Sequence, residues 1–193
     1  MNYLRPQQKI SLWLTSGMVS AAVLILAVAV FAGTRGPLMP VQDGTYSQWA
    51  VSGGGSTHYT RVDDNPCNGL TDYVYTSSTG KRDSYQLDIS SLPVSSTITG
   101  ILISPCASRY NASSSSPRLD VFYIFEGTKS ADNGHYNPPE GTPIQLFTFS
   151  FLGLNYVVHT TSTLEVGIVY TSGTPPAELR VSNVSTTIIY SPP

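Results

Sequence analysis

Thr163-Leu164-Glu165-Val166-Gly167-Ile168-Val169-Tyr170 alternates apolar and polar or small residues with a period of two, which places Leu164, Val166, Ile168 and Tyr170 on one face of an extended strand. Ser84-Tyr85-Gln86-Leu87-Asp88-Ile89 repeats the device with Tyr85, Leu87 and Ile89 inward, and Phe147-Thr148-Phe149-Ser150-Phe151 does so with aromatics against hydroxyls. Leu119-Asp120-Val121-Phe122-Tyr123-Ile124-Phe125 is apolar on both faces, the pattern of a central strand covered from both sides. Further strands are expected at Tyr46–Val51, His58–Val62, Asp72–Tyr75, Ile98–Ser104 and, as one long or two short strands, Leu179–Tyr190. No window from 45 to 190 reads as an amphipathic helix of three turns, and the gaps are rich in Gly, Pro, Asn and Ser. The expectation is therefore an all-β, antiparallel two-sheet sandwich, jelly-roll-like, of about nine strands.

The amino-terminal part is of another kind. Ile10 to Gly33 contains no charged residue and is long enough to cross a bilayer as a helix. Arg5 and Lys9 precede it, which orients the amino terminus toward the cytoplasm. The chain thus divides into a basic cytoplasmic segment (1–9), a transmembrane signal anchor (10–33), a linker (34–45) and an extracytoplasmic sandwich domain (46–191). Val30 and Ala32 also suit a signal-peptidase site before Gly33, in which case the protein is secreted.

Cys67 and Cys106 are the two cysteines, both beyond the apolar segment, and in an oxidising compartment they read as a disulfide. Asp63, Asp64, Asp72 and Asp83 surround that pair. They offer hard oxygen ligands for a structural calcium ion, with side-chain capping of turns as the plainer reading. No EF-hand order is present.

Charge excludes more than it identifies. Ten Lys and Arg stand against twelve Asp and Glu, for 11% charged residues and a net charge of -2, so the chain lacks the basic stripe that captures nucleic acid. With 26 Ser and 20 Thr, the polar surface is built from hydroxyls. There is no Gly-x-Ser-x-Gly elbow, no phosphate-cradling glycine run and no metal-ligand spacing among His58, His135 and His159. Glu126, Glu140, Glu165 and Glu178 lie on different segments with no cue for pairing as glycosidase carboxylates. Twelve tyrosines and two tryptophans supply flat amphipathic rings on which sugars stack. Trp49, Tyr59, Tyr73, Tyr75, Tyr110 and Tyr136 are the candidates for such contact. Asn111-Ala112-Ser113 and Asn183-Val184-Ser185 fit the N-glycosylation pattern.

The run from Arg61-Val62-Asp63-Asp64 through Cys67-Asn68-Gly69, Asp72-Tyr73, Gly80-Lys81-Arg82-Asp83-Ser84-Tyr85, Ile98-Thr99 and Pro105-Cys106-Ala107-Ser108-Arg109 resembles a recurring module of uncharacterised bacterial surface proteins. The tail Ser162 to Gly173 is similar to the later part of that module, so the likeness covers roughly residues 58 to 190. It implies a secreted jelly-roll-like sandwich with a shared cysteine pair and carries no catalytic residues. The resulting expectation is a membrane-anchored, non-catalytic adhesion or ligand-binding module with glycans or surface proteins as partners. A structural component of a cell-envelope assembly is the first alternative, an extracellular hydrolase the second.

Overall fold

The computed structural model describes residues 32–67, 71–111, 117–141, 145–172 and 177–193. The expected anchor and cytoplasmic segment lie outside the described residues, apart from the last two positions of the anchor. Among the described residues no helix is long and apolar enough to cross a membrane.

Two antiparallel sheets form the domain. The first contains β1 (Gly33–Leu38), β3 (Ala50–Val51), β4 (Val74–Thr76), β6 (Thr97–Tyr110), β10 (Gln145–Leu146), β11 (Phe149–Val157) and β13 (Glu178–Ser191). The second contains β2 (Pro40–Ser47), β5 (Arg82–Leu87), β7 (Arg118–Phe125), β8 (Thr128–Lys129), β9 (Asn133–Tyr136) and β12 (Leu164–Ser172). β6 and β13 pair along their whole length and form the spine of the first sheet, while β4 and β1 share the far edge of β13, and β10 and β11 that of β6. In the second sheet β12 lies between β5 and β7.

The period-two pattern explains why the two sheets close on each other. Leu164, Val166, Ile168 and Tyr170 of β12, Tyr85 and Leu87 of β5, and Leu119, Val121, Tyr123 and Phe125 of β7 are buried in one cluster. Ile101 and Ile103 of β6 and Leu179, Val181 and Ile188 of β13 meet them from the other sheet. The two-faced reading of β7 holds as well. Phe122 and Ile124 point the other way into a second small cluster with Val169, roofed by Tyr46 edge-on at 5.7 Å and by Lys129 Nζ 4.8 Å from the Phe122 ring centre. Gly167 lies directly under that ring, where a Cβ would stand 2.3 Å from it.

Three expectations change. The described residues hold thirteen strands rather than nine, the additions being short edge pieces together with β1 and β2. Segment 34–45, expected as a linker, is strand: Pro37 falls within a register shift of β1 and Pro40 begins β2 on a sheet edge, positions where a missing N–H costs no ladder bond. His58–Val62 is not a strand but a single 3₁₀ turn at Tyr59–Arg61. Asp43 causes this by accepting the His58 and Tyr59 amides at 2.9 and 2.6 Å, which bends the chain there. Of the two readings of residues 179–190, the structure shows the one long strand.

Candidate functional site

On β13 the sequence Glu178-Leu179-Arg180-Val181 sends Leu179 and Val181 into the core and leaves Glu178 and Arg180 on the outer face of the first sheet. The same alternation puts Val74 of β4 inward and Tyr75 outward, and Ala107 of β6 inward with Ser108 and Tyr110 outward. Pairing then sets these positions side by side: Arg180 is flanked by Tyr75 and Ser108, and Glu178 by Tyr110. Three tyrosines from two separate stretches of chain thereby meet around one arginine. The Tyr73 and Tyr75 rings contact edge to face with centres 5.8 Å apart. The Arg180 guanidinium lies 4.9 Å from the Tyr73 centre and 3.9 Å from that of Tyr110. Its Nε donates to Glu178 Oε1 at 2.6 Å. Tyr110 is 45% exposed, so this ring is open to a partner.

The disulfide borders this patch. Cys67 and Cys106 are bonded with Cα atoms 6.1 Å apart, as expected for the pair. Cys106 lies across from Asn183, whose side-chain amide donates to the Asp64 carbonyl. Val184 N donates to the Val62 carbonyl at 2.9 Å. The chain leading to Tyr73 is thus tied to the sheet at Cys106, Asn183 and Val184, while Arg61 faces Asp72 at 3.7 Å within it. Asn183 is buried with its amide engaged, so of the two glycosylation patterns this one is closed in the folded domain.

The other three nominated aromatics are elsewhere. Trp49 is buried in the core and donates its indole N–H to the Lys81 carbonyl at 3.1 Å. Tyr59 packs half-buried against the core. Tyr136 lies 3.5 Å, centre to centre, from Phe147 and 6.5 Å from Phe149, closing the sandwich between the β9 and β11 edges. Arg180 is not among the sequence-based candidates, and Glu178 enters there only as a glycosidase carboxylate. Their outward alternation was readable, but their tyrosine neighbours follow from strand pairing.

Asp63, Asp64 and Asp72 are near enough to repel one another, while Asp83 is engaged in a network of its own. Asp83 is fully buried, and one of its oxygens meets His58 Nδ1 at 2.7 Å and the Tyr85 hydroxyl at 3.1 Å. The other accepts the Gln48 and Trp49 amides. Desolvation by burial pushes the Asp83 carboxyl above its ordinary range, against the lowering effects of His58, the Trp49 amide and Tyr85. The Tyr85 phenol is likewise driven up by burial and then by the Asp83 charge. This network fastens the 48–58 stretch to β5. Asp63 is raised by burial first, with Asp64 and Asp72 adding repulsion, while a backbone hydrogen bond opposes the rise. Among the described residues no group of three or more His, Cys, Asp or Glu is placed to hold a metal ion.

Carboxylate pairing also fails to appear among the four glutamates. Glu165 accepts from Thr45 and Ser84, Glu126 from Ser162, and Glu178 from Arg180, while Glu140 faces Arg109. Chemically, the outer-face patch offers aromatic planes, guanidinium donors and a carboxylate acceptor, groups that suit stacking and hydrogen bonding rather than proton transfer.

No protein-family model and no curated protein matches the chain. The solved structures to which the chain is similar include three that follow. One is the CBM36-1 domain of a multidomain xylanase from the hindgut metagenome of Trinervitermes trinervoides, at 9% identity and TM-score 0.40 over 81% of this chain and 96% of that one. The second is a CBM36 carbohydrate-binding module in complex with calcium and xylotriose, at 11% identity and TM-score 0.34 over 77% and 99%. The third is the CBM22-1 xylan-binding domain of Paenibacillus barcinonensis Xyn10C, at 10% and 0.36 over 78% and 92%. With TM-scores of 0.40 or less, none of the three assigns a role to a residue of this chain.

Proposed function

We propose that this protein is a non-catalytic carbohydrate-binding module exported from the cytoplasm, and that Tyr73, Tyr75, Tyr110, Arg180 and Glu178 form its binding face. The observation that carries the reading is the convergence of three tyrosines on Arg180, with its cation 3.9 Å from the open Tyr110 ring. A pyranose presents apolar C–H faces and a belt of hydroxyls, and this patch presents rings and charged hydrogen-bonding groups at matching range. The Cys67–Cys106 disulfide supports an oxidising destination. Anchorage through residues 10–33 remains part of the proposal. The chain enters the sandwich at Gly33, paired with Tyr190, whereas Glu178 and Arg180 begin the same fourteen-residue strand. At about 3.3 Å per residue the patch is roughly 33–40 Å along β13 from that entry point.

Glycan-array binding by the sandwich domain tests this. Tyr110→Ala and Tyr75→Ala should each weaken the signal by about tenfold while leaving thermal unfolding within a few degrees. Unchanged binding in both variants refutes the assigned face, and no glycan binding by the parent domain refutes the function.

The assembly alternative has one observation in its favour. β11 is a strand without charged residues that leaves Leu152 65% and Val157 43% exposed. Chemical cross-linking of the protein in intact cells, compared between the parent and Leu152→Lys, tests that reading.

A further inference from the structure

Resting on the carbohydrate reading, we infer that the patch selects acidic sugars and that Arg180 is its carboxylate-recognising residue. The argument is one of orientation. The Arg180 guanidinium lies against the Tyr73 and Tyr110 rings, and its Nε is bonded to Glu178 at 2.6 Å. These contacts hold the plane of the group. Glu178 is the one hydrogen-bond acceptor that Arg180 meets among the described residues, and it occupies the Nε edge. The two terminal nitrogens are left as a fork whose spacing matches the two oxygens of a planar carboxylate. The Arg180 side chain is 16% exposed, so a ligand bound there meets a cation partly shielded from water and held without loss of side-chain freedom at the moment of binding.

A neutral sugar uses the rings and Glu178 but leaves the fork to water. A uronic acid uses all of them, its pyranose ring on Tyr110 or Tyr73 and its C6 carboxylate on the fork. Glu178 sharpens the choice, because it keeps the guanidinium from rotating its Nε edge toward the ligand and repels a carboxylate placed in any other register. Sulfated sugars share the anionic character but present a tetrahedral oxyanion, for which the planar fork is less well matched.

Titration calorimetry of the sandwich domain with trigalacturonate, the corresponding neutral galactose trisaccharide and a sulfated galactose trisaccharide separates these cases. Trigalacturonate should bind at least about tenfold more tightly than either competitor, as charge-assisted hydrogen bonds to a shielded guanidinium imply. Arg180→Gln should abolish that preference while retaining the weaker neutral binding, and Arg180→Lys should restore part of it. Thermal unfolding and near-ultraviolet dichroism of each variant confirm that the sheet is intact. Equal affinity for the neutral and uronate ligands, a preference for the sulfated one, or a uronate preference that survives Arg180→Gln would overturn the inference while leaving carbohydrate binding in place. Binding of no sugar by the parent domain removes both.

Discussion

Replacing both cysteines with serine tests how the outer-face patch is supported. The disulfide spans 39 residues of sequence, and loop closure of that length restricts the unfolded chain by about 4 kcal/mol. In the folded state the segment just before Cys67 keeps two other ties to β13, Asn183 to the Asp64 carbonyl and Val184 N to the Val62 carbonyl, so the serine variant should retain the native fold. The loss then falls mainly on the unfolded side. With a urea slope of about 2 kcal/mol/M for a domain of this size, the midpoint should drop by about 2 M, and the melting temperature by roughly 8–16 °C. Equilibrium urea unfolding of the Cys67→Ser/Cys106→Ser variant is the assay, with near-ultraviolet dichroism reporting the tyrosine environment before denaturant is added. A shift below about 1 kcal/mol, in a parent protein whose thiols are silent until reduced, would falsify the loop-closure account. A changed dichroism spectrum at zero denaturant would show instead that the bond itself shapes the native loop, and Tyr73 with it.

Gly167→Ala places a Cβ 2.3 Å from the buried Phe122 ring, which has Lys129 and Tyr46 above it and little room to move, so a loss of about 1–3 kcal/mol is expected in urea unfolding. Asp83→Asn leaves His58 Nδ1 and the buried Tyr85 hydroxyl facing an amide N–H in place of their shared acceptor, or deprives the Gln48 and Trp49 amides of theirs if the amide flips, and about 1–3 kcal/mol should be lost at neutral pH. The sign of its pH dependence follows from the raised carboxyl. The folded state holds the Asp83 proton more tightly than the unfolded chain does, so its contribution to stability falls as pH rises from 3.8 through the folded value. The stability gap between parent and Asp83→Asn should therefore narrow with rising pH over that window, and a gap that widens refutes the assigned cause. Asp132 has the opposite sign. Burial raises its carboxyl, but the hydrogen bonds and charges of Lys129 and Arg82 outweigh it and hold the group low, so Asp132→Asn should cost stability above pH 3.8 and progressively less as acid protonates the parent. Parallel acid titrations of the parent and this variant, followed by dichroism, check that convergence.

What the sequence revealed and what it withheld divide along a physical line. Strands β5 and β12 were legible because each turns one face into the shared core, which enforces alternation over six and nine residues, and β7 because burial on both faces demands an unbroken apolar run. Edge strands carry no such demand. β1 and β2 escape recognition because Pro37, Pro40, Gly36 and Gly44 spell a linker, yet each has a packing reason. At Gly36 a Cβ would stand 2.7 Å from the Thr186 carbonyl, and at Gly44 one would stand 2.4 Å from the Glu165 carboxylate that Thr45 binds. Glycine there marks close approach between strands, and nothing local distinguishes that from a flexible turn.

The patch obeys the same division. Tyr73, Tyr75 and Tyr110 could be nominated as amphipathic rings near turns, but Trp49, Tyr59 and Tyr136 satisfied the same criterion and became core or edge packing. Composition cannot separate the two groups, since the difference is the register that sets β4 and β6 on either side of β13. A single-residue slip of β4 against β13 would turn Tyr75 into the core and Val74 outward, which the buried neighbours Leu179 and Val181 oppose. The hydrophobic core therefore selects the face on which the tyrosines and Arg180 meet. A core substitution that loosens this register, such as Val181→Ala, should weaken ligand binding at residues it never touches.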